Sequence, residues 1–182
     1  MTRKHTHEDL DHMPQVSMFE TAVEGDEFYE YERKMAMKPT KGIVCDASCV
    51  KGNGTKKRDG YFHGEVEWQG VDLATGKKVF TSHVQRRSTI NIGELMSIID
   101  ALKHLDLMGD FDAPVYNDNT TAIAWARRRK APTKLPLNAH TAQTHKDLKE
   151  AMGWLVYFKP KNPILKWDTD RWGECPADFG RK

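Results

Sequence analysis

Ile92, Leu95, Met96, Ile99, Leu102 and Leu105 recur at the spacing of one helix face, directly after a stretch in which apolar residues recur every second position. This change of period constrains the chain more than any other feature, because it requires a sheet and a helix to share one core. Upstream, Ile43-Val44-Cys45 is a short run of β-formers bounded by glycines, and it predicts a buried strand that delivers Asp46 to its end. Residues 61–69 alternate, and residues 77–86 alternate again after the Ala74-Thr75-Gly76 turn. Three successive strands joined by glycine-containing turns predict an antiparallel meander. Asn91 is the expected cap of the helix that follows, which puts Glu94 in its first turn, where a carboxylate ordinarily just suits the helix dipole. Downstream, Ala113-Pro114-Val115-Tyr116 predicts a fourth strand ending in Asn117-Asp118-Asn119, and Thr120 starts a second helix through Trp125. Asn138 is the expected cap of a third helix reaching about Tyr157, with Leu148, Met152 and Leu155 inward. Residues 164–167 predict a fifth strand. The sum is a mixed α/β sheet covered by helices.

A chain of 182 residues suits one domain with an appendage. Residues 41–182 are the expected domain. Residues 1–40 lack sustained periodicity and hold nine acidic against five basic side chains, so they predict a largely disordered acidic leader with one short helical or docking segment. That leader carries −4, which leaves +6 for the rest of a chain whose net charge is +2. A basic domain with an acidic leader suits a polyanionic partner, although a surplus of this size is also ordinary surface charge. No apolar run approaches a membrane span, and the N-terminus lacks the apolar segment of a signal peptide, so a soluble cytoplasmic protein with no membrane association is expected. Cys45, Cys49 and Cys175 are odd in number and lack Cys-x-x-Cys spacing, which fits reduced packing residues. His5-Thr6-His7, with only His12 nearby, is too sparse for a metal site.

The chemistry lies in four acids. Asp46 ends a buried strand, Glu94 starts a helix, Asp118 follows a second buried strand and Asp178 stands in the C-terminal segment. Each has an ordinary explanation alone. Burying an ionised carboxylate costs several kcal/mol unless a partner or metal compensates it, on the order given by desolvation. Four carboxylates brought to one end of a sheet suit two divalent cations flanking an in-line phosphoryl displacement. Arg127-Arg128-Arg129-Lys130, next to Trp125, reads equally as a solvated helix end or as a phosphate-gripping edge.

These residues resemble the type 1 ribonuclease H family over about residues 41–182. Asp46-Ala47-Ser48-Cys49 with Gly52-Asn53-Gly54 is similar to the family's first-strand Asp-Gly-Ser-Cys pattern and its Gly-Asn turn. Thr89-Ile90-Asn91-Ile92-Gly93-Glu94-Leu95-Met96, continuing to Ala101-Leu102, resembles its Thr-Asn-Asn-x-x-Glu-Leu helix start. Asn117-Asp118-Asn119 and Ala177-Asp178 stand where the family has Thr-Asp-Ser and a final Ala-Asp pair. The resemblance implies a five-stranded mixed sheet, a three-stranded antiparallel meander plus two parallel strands, flanked by helices. It implies endonucleolytic hydrolysis of the RNA strand of RNA/DNA hybrids, giving 5′-phosphate and 3′-hydroxyl ends. Two Mg²⁺ ions, with Mn²⁺ able to substitute, would be held by Asp46, Glu94, Asp118 and Asp178, with Asp46 bridging. Cys49, Asn53, Asn91 and Met96 would line the minor groove, and Trp125 with Arg127, Arg128, Arg129 and Lys130 would grip the DNA strand. The chain departs from the family in having no histidine after His145 and only four residues after Asp178. A hybrid-binding or partner-binding module with weak or lost catalysis is therefore an open alternative, as is a related nuclease of the superfold acting on another structured nucleic acid.

Overall fold

Five consecutive residues of β1 (Ile43–Lys51), Ile43 to Ala47, are buried, so this strand needs cover on both faces and a neighbour on each edge. The computed structural model describes residues 37–51 and 64–180, and those from Lys38 onward fall in one compact unit. The leader up to residue 36 and the turn carrying Asn53 lie outside the described residues. β2 (Gly64–Asp72) runs antiparallel to β1 from Ile43 opposite Asp72 to Lys51 opposite Glu65. On the other edge, β5 (Val115–Asn117) runs parallel to β1, and β6 (Ile164–Lys166) runs parallel to β5.

The strand order is β3-β2-β1-β5-β6, with β3 (Lys78–Thr81) and β4 (Gln85–Ser88) both antiparallel to β2. The expected third strand over 77–86 is thus two short strands, and the described sheet has six rather than five. Ser82 causes the break: its hydroxyl accepts the Trp68 N–H at 2.8 Å while its own N–H donates to the Trp68 carbonyl at 2.8 Å. That exchange ends the regular ladder, and the register shifts on either side of it.

Asp46 is not at a strand end, as the sequence pattern suggested. β2 keeps pairing with β1 as far as Lys51, so the acid sits in mid-strand opposite Gln69. Alternation divides β1 between two cores. Ile43, Cys45 and Ala47 face a large core filled by α1 (Ile90–Met108), α2 (Thr120–Arg128) and α3 (Ala142–Phe158). Val44 faces a smaller one made of Val71, Tyr116, Trp167, Cys175 and Ala177. The sheet therefore carries three helices on one face and the C-terminal segment, with α4 (Thr169–Trp172), on the other.

The helix caps also differ from expectation. Thr89, in extended backbone, caps α1 by accepting the Ile92 N–H, because Asn91 is already inside the helix. The helix starts earlier than Asn91 would allow, so Glu94 stands beyond the first turn, which contains no acid. Asn138 caps no helix. Its Oδ1 accepts the N–H groups of His140 and Thr141, and α3 starts only at Ala142. No helix among the described residues is long and apolar enough to cross a membrane.

Candidate metal centre

Gly93 sets the distance between α1 and the sheet. A Cβ there would meet Val66 Cγ1 at 2.3 Å and Ala47 Cβ at 3.1 Å, so only a glycine lets the helix lie this close to β1 and β2. The next residue, Glu94, is thereby pressed against the strand that carries Asp46. From the other side, β5 ends at Asn117, and the chain turns outward at Asp118 before Asn119 caps α2 through its Oδ1 and the Ala122 N–H. Asp46, Glu94 and Asp118 each present a carboxylate oxygen, all within 4.8 Å of one another; the first two are buried and the third is exposed.

Asp178 approaches from the smaller core but is not one of the three acids that cluster within 4.8 Å. Trp167 is fully buried, meets Tyr116 and Trp172 edge-on at 6.2 and 5.2 Å, and donates its indole N–H to the Gly173 carbonyl. Cys175 and Ala177 pack into that core, and Gln69 Nε2 donates to the Ala177 carbonyl at 2.7 Å, which ties the segment to β2 opposite Asp46. Asp178 itself is half-buried, and its charge acts on Asp46.

Burial first, then the charges of Asp118 and Asp178, push the Asp46 carboxyl up to about 7. Burial and then Asp46 push Glu94 up to about 9, against a hydrogen bond from Asn117 that lowers it. Without a cation the pair therefore retains proton at neutral pH. None of the ion pairs among the described residues includes Asp46, Glu94 or Asp118. The donors are all carboxylate oxygens, which suit Mg²⁺ or Mn²⁺ rather than soft metals. Gln69 Oε1 adds a buried oxygen acceptor without a partner at the position opposite Asp46. The residues fit hard divalent cations.

The other sequence-selected residues fall in different places. Cys49 is half-buried on β1, with its thiol pushed up by burial and then by Glu94. Asn91, half-buried, accepts from Asn119 Nδ2 at 3.0 Å and so links the starts of α1 and α2. Met96 is only 8% exposed and belongs to the large core. Trp125 packs partly against that core and lines a cleft of about 430 Å³ with Thr89, Asn91 and the loop 132–135. Arg127 donates through Nε, at 3.0 Å, and through Nη2 to the Ile164 carbonyl on β6. Arg128, Arg129 and Lys130 are exposed. Three residues that shape the site escaped the sequence pattern: Gly93, Gln69 and Asn117. Gly93 carried a signal as an isolated glycine within a helical repeat, and Asn117 one as the neighbour of Asp118 in its motif, but neither signal told what the residue holds in place.

Antiparallel β1 to β4, parallel β5 and β6, helices on one face and carboxylates gathered beside the central strand define a ribonuclease H-like fold. No protein-family model matches the chain. It is similar to the N-terminal RNase H domain of a Mycobacterium tuberculosis protein, solved as a fusion with maltose-binding protein. That match has 15% identity, covers 70% of this chain and 86% of the other, and has a TM-score of 0.43. It is also similar to LC11-RNase H1, isolated from compost by a metagenomic approach, at 16% identity, 74% and 89% coverage and a TM-score of 0.46. Prototype foamy virus protease-reverse transcriptase matches at 15% identity, over 79% of this chain and 19% of that one, with a TM-score of 0.45.

Proposed function

We propose that this chain is a metal-dependent endonuclease that hydrolyses the RNA strand of RNA/DNA hybrids, leaving 5′-phosphate and 3′-hydroxyl ends. The observation that carries the reading is the meeting of Asp46, Glu94 and Asp118 within 4.8 Å, on elements whose packing forces them together against their own repulsion. The order and spacing of the sequence motifs supply the substrate. Asp46, Glu94 and Asp118, together with Asp178 by its place in the sequence motif, would hold the cations. When bound, two Mg²⁺ ions activate the attacking water and stabilise the departing 3′ oxygen. The exposure of Asp118 leaves that side of the cluster open to a phosphodiester, and the buried Asp46 and Glu94 close the other. By their motif positions Cys49, Asn53 and Asn91 would meet the minor groove, where 2′-hydroxyls mark the RNA strand, whereas Met96 lies in the large core. Trp125 and the exposed cations after it take the DNA strand.

Matched RNA/DNA, RNA/RNA and DNA/DNA duplexes incubated with Mg²⁺ or with EDTA test this. Cleavage confined to the RNA of the hybrid, abolished by EDTA and lowered by orders of magnitude in Asp118→Asn, is the expected result. Equal cutting of RNA/RNA would point to a nuclease of different specificity. Near wild-type cleavage by Asp118→Asn would remove the site from the reading altogether.

A further inference from the structure

The parallel ladder between β1 and β5 covers only two pairs, Ile43 with Val115 and Val44 with Tyr116. Beyond them the strands are joined by a side chain. Asn117 is fully buried, and its Nδ2 donates to the Cys45 carbonyl at 3.0 Å and to Glu94 Oε2 at 2.8 Å. Its Oδ1 accepts the Asn119 N–H at 2.8 Å, which fixes which end of the amide is nitrogen. An amide nitrogen has two hydrogens, and here one goes to β1 and the other to α1. Cys45 directly precedes Asp46, and Asn117 directly precedes Asp118, so a single amide ties together the three elements that supply the clustered acids. Ser97 reinforces the arrangement: its hydroxyl donates to the backbone carbonyl of Glu94 at 2.7 Å and lies 3.3 Å from Asn117 Nδ2.

A carboxylate has two oxygens, and Asn117 occupies one of Glu94's. We propose that Asn117 is a positioning residue that holds Glu94 so that it offers a single oxygen to a divalent cation. This inference rests on the metal-dependent reading of the site. Partners that orient a ligand from behind commonly set metal affinity by about 10–100-fold, because without them the ligand must be reordered each time a metal binds. Glu94 without Asn117 keeps its place on α1 but loses the amide that holds its Oε2.

Mn²⁺ binding, measured by loss of the free-ion paramagnetic signal, tests the role without relying on turnover. The wild type is compared with Asn117→Leu and with Leu148→Ala, a core truncation on α3 that lowers stability but touches neither Asn117 nor the acids. Asn117→Leu should bind Mn²⁺ about 10–100-fold more weakly, and Leu148→Ala should bind like the wild type below its melting temperature. If Asn117→Leu does not fold, Asn117→Ser, which cannot reach Glu94 but leaves a polar group for water, gives the same comparison. Affinity of the Asn117 variant within about twofold of wild type, far below the range for such partners, would overturn the inference and leave the site reading intact. A wild type that binds no Mn²⁺ would overturn both.

Discussion

Asp46 and Glu94 are acids that the fold holds in a place where neither ionises easily. In the unfolded chain each titrates as an ordinary carboxyl, near 3.8 and 4.5, whereas in the folded, metal-free protein they are raised to about 7 and about 9. The folded state therefore binds more protons than the unfolded state between those values, and stability must fall as pH rises across that window. Burial is the first cause of both shifts and the neighbouring acids the second, with the buried thiols of Cys45 and Cys175 nearby and no ion pair to any of these acids among the described residues. In EDTA, the melting temperature should fall from pH 5 to pH 9, by about 2–4 °C for each kcal/mol of stability removed in a protein of this size. Asp46→Asn should flatten the profile. A metal-free melting temperature that rises over the same interval would show that the acids are not in each other's field.

At the scale of elements, the seating of α1 decides whether those acids meet. Gly93→Ala places a methyl group against Val66 and Ala47, and overpacking of this kind costs about 1–3 kcal/mol, more than the roughly 1 kcal/mol that alanine gains over glycine in a helix. Because the strain acts one residue before Glu94, Mn²⁺ affinity should fall together with stability. Val66→Ala added to Gly93→Ala should restore part of both, and strictly additive effects of the two changes would sink this account of the helix seat. Much at this scale was readable from the chain. The repeat from Ile92 to Leu105 has only one helical explanation, and the apolar run at residues 43–45 has only a buried one. What the sequence withheld depended on partners distant in the chain. β1 continues past Asp46 because β2 pairs with it there, the third strand breaks because Ser82 bonds to Trp68, and α1 starts at Ile90 because Thr89 turns back on it. Asn117 could be matched to a motif position, but its hold on Glu94 appears only once α1 lies on the sheet.

Over the whole molecule, charge is the property that a nucleic acid would meet first, and the chain divides it unequally. All four cations after Trp125 are exposed, but Arg127 also donates to the Ile164 carbonyl of edge strand β6, which leaves Arg128 and Lys130 freer to meet phosphates. Arg128→Ser and Lys130→Ser should each reduce the salt dependence of hybrid binding, by about 0.9 in the slope for every phosphate no longer neutralised, and Arg127→Ser should lower stability while leaving that slope unchanged. A change of slope in Arg127→Ser alone would reverse the assignment. The same reasoning extends to the leader. Residues 1–37 hold nine acidic and four basic side chains, so removing them takes away −5 and leaves +7 on the remainder of a chain whose net charge is +2. A tethered polyanion raises the local negative potential that an approaching nucleic acid must cross, whatever its conformation. Deletion of residues 1–37 should therefore tighten hybrid binding at low salt, chiefly through faster association. The gain should vanish as the screening length falls from about 10 Å at 0.1 M to about 3 Å at 1 M. Binding of the full and truncated chains, measured across that salt range, decides the matter: equal affinity at low salt would show that the acidic leader exerts no field on the nucleic-acid surface.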